Sequence, residues 1–396
     1  MNTLSNEDKS TFFHEYTHFL QDLTTTFGLT NIINTVNVQK AINDEILKSN
    51  EQKTFKIPVS IENYPDTDIY HNLNEMFYGD FESVFNRDSI IEKIELVENG
   101  IILGHEDKKY VKVSFSNFHN SHSFQFGAIQ IMENMAFLIE RNLFDNVTSP
   151  TYPYRVVEKI IEHLYPSFQG GDKEKIMICD YSLMAPDPGK FMIEFISKLE
   201  ELKVNSVIGI YEVLKKYNFH STTSGQMTVF NLYEERYELA LRSIKEYFTI
   251  ELFDEIKNWL DSLFDEISTF KLENFNFWLD ILNHSTKQER QTAFIQLTIK
   301  FGFPLISNNN GKIVFYHPNH RPEHLLVLKA INEVAGVLNR RQEACGMKKC
   351  CEKGYEGDIT NNDCNSPWLR GSQDPLCPFG QVIKMWGLYE KMPLGD

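Results

Sequence analysis

The stretch "FFHEYTHFLQD", residues 12–22, sets two histidines, His14 and His18, four residues apart, with Glu15 directly after the first. Residues 5–27 around it read as one helix. Ser5 with Asp8 forms an N-cap pair, and Gly28 follows the last turn as a C-cap. The β-branched Thr24, Thr25 and Thr26 weaken that final turn. Positions i and i+4 share a helix face, so the two imidazoles project side by side and can reach one Zn2+ at about 2.0–2.1 Å. Glu15, beside the first of them, can act as general base on a metal-bound water whose pKa the ion lowers towards about 7. The flanking Phe12, Phe13, Phe19 and Leu20 are apolar. A carboxylate buried between two histidines is costly unless a cation compensates it. A helix that carries two histidines by chance is the alternative reading, since the bare motif is only a hypothesis.

The motif resembles that of the zincin metallopeptidases, His-Glu-x-x-His on an active-site helix. The resemblance implies His14 and His18 as zinc ligands and Glu15 as the catalytic base. Asp22, one turn after His18, has a spacing found in thermolysin-like members; it either orients a ligand imidazole or faces solvent near the helix end. A catalytic zinc takes a third protein ligand and keeps one position open. The continuation "HFLQDLTTTFG" supplies no histidine, which excludes the metzincin pattern. The gluzincin pattern draws a glutamate from a second helix. Glu133 in "GAIQIMENMAFLIE" fits best, surrounded by apolar residues with Gln130 and Asn134 on the same narrow polar strip. A carboxylate so placed must be paired, protonated or metal-bound.

Glu140, beside Arg141, is a weaker candidate ligand and reads as a helix-end surface residue. Glu194, between Lys190 and Lys198, reads as a solvated ion-pair partner. Glu158 and Glu162 read as the polar face of a short helix. The likeness covers residues 12–22 and 127–140 only, and it departs from the thermolysin-like pattern twice. Phe137 stands where that pattern has an aspartate, and the expected sheet lies between the two helices rather than before them. A group to stabilise the oxyanion would come from His122, Tyr152, Tyr154, His163 or Tyr181.

Elsewhere, alternation over 52–61 and 90–116 predicts extended chain, the latter an antiparallel meander. Residues 126–144 and 155–164 predict helices, and 190–300 is mostly helical. "FPLIS", "NNNG" and "KIVFYH" make a hairpin, and Pro322 opens a further helix. The expected fold is α+β and predominantly helical: a zincin-like helix pair with a small antiparallel sheet, and a helical C-terminal half. The expected regions are 1–170 (catalytic), 171–305 (helical) and 306–396 (hairpin, helix and Cys-rich segment).

The chain has 396 residues, is 42% hydrophobic and carries a formal charge of −16. So acidic a chain is repelled by phosphate backbones and anionic lipid, which disfavours nucleic-acid and membrane roles. The basic run "NRRQEACGMKK" (339–349) reads as a solvated face, with an anion site as the alternative. The opening "MNTLSNEDKS" lacks a signal-like n-region and h-region, so a cytoplasmic protein is expected. Of six cysteines, Cys345, Cys350, Cys351, Cys364 and Cys377 crowd the C-terminal end. They are free thiols, oxidised pairs, or ligands of a second, structural Zn2+. His317, His320 and His324 form a weaker candidate metal cluster. The expected function is a zinc-dependent metallohydrolase, a peptidase acting on peptide or protein substrates. The alternative is a regulatory metal-containing module whose helical region docks a protein partner.

Overall fold

A computed structural model describes residues 5–48, 53–80, 90–98, 108–116, 121–145, 147–221, 225–248, 254–307, 313–316, 322–339, 343–354 and 359–394. Along the chain the elements are α1 (Asn6–Thr24), α2 (Thr26–Lys48), β1 (Thr54–Phe55), α3 (Pro65–Tyr78), β2 (Ile90–Glu98), β3 (Lys109–Ser116), β4 (Ser121–Phe126), α4 (Ala128–Leu143), α5 (Val156–Leu164), α6 (Asp172–Leu183), α7 (Pro188–Leu202) and α8 (Val207–Leu214). There follow β5 (Asn218–Ser221), β6 (Gly225–Thr228), α9 (Val229–Tyr247), α10 (Asp254–Glu273), α11 (Phe277–Leu282), α12 (Lys287–Phe301), β7 (Phe303–Ser307), β8 (Ile313–Tyr316), α13 (Pro322–Leu338), α14 (Lys348–Gly354), α15 (Pro367–Gly371), α16 (Pro378–Met385) and β9 (Met392–Pro393). The fold is α+β and predominantly helical, with small antiparallel sheets. No helix among the described residues is long and apolar enough to cross a membrane.

Two compact units emerge. The first comprises residues 1–34, 69–242 and 261–297; the second comprises 35–68, 243–260 and 298–396.

In the first unit the core is built around α4, which packs against α1, α5, α6 and α7. Its apolar residues are almost all buried, Ile131, Met135, Ala136 and Leu138 completely. Its polar residues are also spent on neighbours. Asn134 Oδ1 accepts the Val157 and Glu158 amides at 2.8 and 3.2 Å, so it caps α5 from outside. Gln130 donates to the Asp80 carbonyl and to Tyr152 Oη, and its Oε1 accepts the Gly127 amide at 2.7 Å. The meander is β2-β3-β4, antiparallel, with Val111 opposite Phe126 and Phe115 opposite His122. β4 turns into α4 through Gly127 alone, where a Cβ would stand 2.3 Å from the Phe77 carbonyl oxygen.

Three expectations need correction. The first helix does not run to residue 27: α1 ends at Thr24, Thr25 is extended, and α2 begins at Thr26. The threonines cause the break. Thr24 and Thr25 hydroxyls donate back to the Leu20 and Gln21 carbonyls, both at 2.7 Å, and Thr25 Oγ1 also accepts the Gly28 amide at 3.1 Å. Gly28 is therefore inside the first turn of α2, not a C-cap. It is a glycine because a Cβ there would lie 2.4 Å from the Asp22 backbone. Of the stretch 52–61, the described residues 53–61 are extended only at Thr54–Phe55, with a cis Ile57–Pro58 bond just beyond. Glu158 is not solvated: it is buried and paired with Arg141, Arg155 and Lys175.

The second unit pairs β1 with β9 in parallel and β7 with β8 antiparallel, and packs α13 against α16 and α15 against α16. Its aromatic anchor is Trp368, edge-on to Phe55 at 5.3 Å and donating from its indole to the Lys391 carbonyl at 2.6 Å. The Cys-rich segment contains the short helices α14, α15 and α16. The "NNNG" turn, His317 and His320 lie outside the described residues, as does the His324 side chain.

Candidate metal centre

Ser10, His14, His18 and Gln21 form one stripe along α1, because steps of three and four return to the same face. That stripe lies on α4. Ser10 meets Glu140, His14 meets both Glu133 and Glu140, and Gln21 meets the Met132 carbonyl, so the two helices run antiparallel. The contact is locked on the far side of α1 by buried Phe13, which stacks on Phe294 at 4.6 Å, and by Tyr16, which donates to the Leu297 carbonyl at 3.0 Å. Both ligand-bearing helices are thus fixed before any ion is considered.

The imidazoles turn the same way. His14 Nε2 lies 3.1 Å from Glu133 Oε2, and His18 Nε2 lies 3.7 Å from Glu133 Oε1. Each Nδ1 faces outwards to its own partner: Glu140 Oε2 at 3.3 Å for His14, Gln21 Oε1 at 2.8 Å for His18. One ligand atom from each of His14, His18 and Glu133 can be chosen so that all lie within 4.8 Å of one another, and this group can hold a metal ion.

Protonation follows from these contacts. Gln21 Nε2 donates to Met132 O at 3.1 Å, which fixes the amide so that Oε1 faces His18. His18 Nδ1 must then be the donor, and in the neutral ring Nε2 presents a lone pair to the Glu133 carboxylate. Two acceptors face each other there, which is comfortable only with a cation or a proton between them. On the other Glu133 oxygen, His14 Nε2 is the protonated partner. Burial opposes the charge on His14, but its contacts with Glu133 and Glu140 outweigh burial and raise its pKa to about 9. Burial likewise opposes ionisation of Glu133, but His14 and His18 hold its pKa down to about 2. Burial also raises Glu140, but His14 and Ser10 bring it below the usual carboxylate range. A divalent ion bound by the same three groups would take over the proton's place.

The surroundings differ from expectation in instructive ways. The partner of His18 Nδ1 is Gln21, not Asp22. Asp22 is half-buried, and burial pushes its carboxyl up to about 6, against the pull of His18. Glu140 is not a surface residue: it faces the centre two turns along α4 from Glu133 and serves the His14 ring, where the thermolysin-like position holds Phe137 instead. Glu194 is, as expected, an exposed partner of Lys190 at 4.0 Å. Glu15 is exposed.

Of the five groups considered for the oxyanion, the structure brings Tyr154 to the centre, its ring 5.9 Å from that of His14 and edge-on to it. Burial raises its pKa, and the charges of Glu133, Glu15 and Glu140 add to the rise. Tyr152 and Tyr181 are buried and donate to the Asp80 carbonyl and to Asn276; His122 and His163 are exposed. Sequence reasoning missed Tyr78, at the end of α3. Burial, then the charges of Asp22 and Glu133, lift its phenol to about 12. It also missed Ser10 and Gln21, although both lie at helical spacing from His14 and His18.

No family model, no curated protein and no solved structure matches this chain.

Proposed function

We propose that His14, His18 and Glu133 hold a zinc ion, and that the protein is a metallohydrolase that cleaves peptide bonds with Glu15 as general base. One observation carries the reading: both imidazoles turn Nε2 to a shared carboxylate while each Nδ1 has a separate polar partner. A simple ion pair between Glu133 and His14 would need neither the second ring nor the Gln21 contact that holds it with Nε2 towards Glu133. Carboxylate and amide partners on the outer nitrogen are the usual means of orienting a ligand histidine. The donor set, two imidazoles and one carboxylate with room for a further ligand, suits a catalytic zinc. When bound, zinc supplies a Lewis acid that polarises a carbonyl and acidifies water.

The chain's own groups supply the rest. Glu15, one residue after His14 and open to solvent, takes a proton from the attacking water and returns it to the leaving amine. Tyr154 Oη, its proton held tightly by burial and three nearby carboxylates, donates to the developing oxyanion. Gln21 and Glu140 keep the rings in register. The buried Phe13 and Tyr16 hold α1 still.

The test uses the full chain purified without chelators. Wild type should contain zinc and cleave unstructured peptides; His18→Ala and Glu133→Ala should lose both. Glu15→Gln should keep zinc and lose cleavage. Zinc kept in Glu133→Ala would remove Glu133 from the ligand set. An unchanged cleavage rate in Glu15→Gln would refute the catalytic reading and leave the regulatory metal module.

A further inference from the structure

Away from this centre, four of the five C-terminal thiols converge. Cys345, Cys351, Cys364 and Cys377 line one small pocket together with Arg370. They arrive from four places: the bend before α14, α14 itself, the 3-10 turn Asn362–Asn365, and the N-cap of α16. None is in a disulfide.

The surrounding backbone is arranged for sulfur. The Cys345 amide donates to the Cys364 carbonyl at 3.2 Å, which ties two of the four together. The Gly380 amide donates to Cys377 Sγ at 3.4 Å. The Met347 main chain hydrogen-bonds to Cys345, favouring its thiolate. The Cys345 turn is held by Glu333, a buried carboxylate that accepts the Gly346 amide at 2.6 Å.

Charge is the second, independent observation. Arg370 is 3% exposed, yet among the described residues its acceptors are main-chain carbonyls: Ile359 at 2.7 Å, Gln373 at 3.2 Å and Pro375 at 3.0 Å. A buried guanidinium with only neutral partners is costly. Four neutral thiols do not relieve it, whereas four thiolates around one divalent ion carry a net charge of −2 beside it. As free thiols, Cys345 and Cys351 resist ionising. Burial first, then the neighbouring thiols, push Cys351 up to about 12, and Cys345 is held as high.

We propose that Cys345, Cys351, Cys364 and Cys377 bind one structural divalent ion of the zinc class in a tetrahedral sulfur site. Binding releases the thiol protons to solvent and leaves Arg370 beside a compensating charge. The sulfurs are not preset for this. Among the described residues, the His14, His18 and Glu133 group is the one whose ligand atoms all meet within 4.8 Å. Zn–S bonds of about 2.3 Å require the short elements bearing the thiols to draw inwards, as where an ion completes the local fold.

Reconstitution of the metal-free, reduced full chain with Co2+ tests this apart from the histidine centre, which contains no sulfur. The expected result is a thiolate-to-cobalt charge-transfer band in the near ultraviolet, present in His18→Ala and lost in Cys351→Ser. With Zn2+ instead, four thiols should be protected from a thiol reagent, and a mercurial should release one zinc as those four react. Cys350→Ser should behave as wild type. No charge-transfer band in the wild-type chain, or no thiol protection by Zn2+, would overturn the proposal whatever the fate of the histidine centre.

Discussion

The two clusters of potential metal ligands are built in opposite ways. The histidine centre lies on α1 and α4, long helices whose buried faces fix their positions, and its ligand atoms already meet within 4.8 Å. The thiol cluster lies on bends, a 3-10 turn and helices of at most eight residues, and its sulfurs do not yet meet so closely. A site on long, packed helices has its geometry set by apolar burial, so the ion adds chemistry to a framework that stands without it. A site on short elements has little else to hold its shape, so the ion contributes to folding itself.

The largest expected effect separates chemistry from binding at the first centre. Glu15→Gln should lower peptide cleavage by about 10²–10⁴-fold with zinc content unchanged, as for removal of a general base. Equal loss of zinc would make Glu15 a structural residue. Next come the groups behind the rings: Glu140→Gln and Gln21→Ala should each weaken zinc binding by about 10–100-fold without unfolding the chain, read by competition with a chelator. Unchanged affinity in both would mean that α1 alone orients the imidazoles.

A third prediction concerns pH. His14 holds a proton up to about pH 9 in the metal-free chain, and Glu133 holds none above about pH 2. Zinc must displace the His14 proton, so affinity should rise about tenfold per pH unit between pH 6.5 and 8. The sign for stability follows from the same shifts. The raised His14 pKa contributes stability that is complete below 6.5 and lost as pH rises through 9, and the lowered Glu133 pKa contributes stability lost as pH falls through 2. A flat binding profile would show that His14 carries no proton to displace.

A fourth prediction concerns Asp22. Its pKa is raised to about 6, so its contribution is present below its unfolded value of 3.8 and is lost as pH rises through 6. Asp22→Asn should therefore stabilise the chelated protein at pH 8, by at most about 3 kcal/mol, and change little at pH 4, measured by denaturant unfolding. Destabilisation at pH 8 would show that the carboxylate has a partner in the folded chain.

Much of the first centre was legible in residues 12–22 and 127–140. The i, i+4 spacing put His14 and His18 on one face. A lone glutamate amid apolar neighbours marked Glu133 as a carboxylate needing a partner. Glu140 was misread because its neighbour Arg141 suggested a surface ion pair. Arg141 instead pairs with Asp172 and Glu158, which leaves Glu140 to turn inward. Gln21 is not marked by the sequence, because a neutral amide beside Asp22 carries no charge that demands a partner. Only the Met132 carbonyl, distant in sequence, shows that Gln21 is the residue fixed in place.

By itself the sequence determined the elements whose signals are local: the helical periodicity of α1 and α4, the alternation of the meander, and the pairing of imidazoles one turn apart. It also marked the threonines that weaken the end of the first helix, because β-branching and hydroxyl back-bonding act within a turn of chain. Tertiary structure alone decided which carboxylate meets which ring, where the first helix stops and the second turns back over Asp22, and that Tyr154 borders the centre while Tyr152 and Tyr181 do not. Those outcomes depend on the antiparallel packing of α1 on α4 and on side chains far apart in sequence, and no local pattern encodes the distance between two helices.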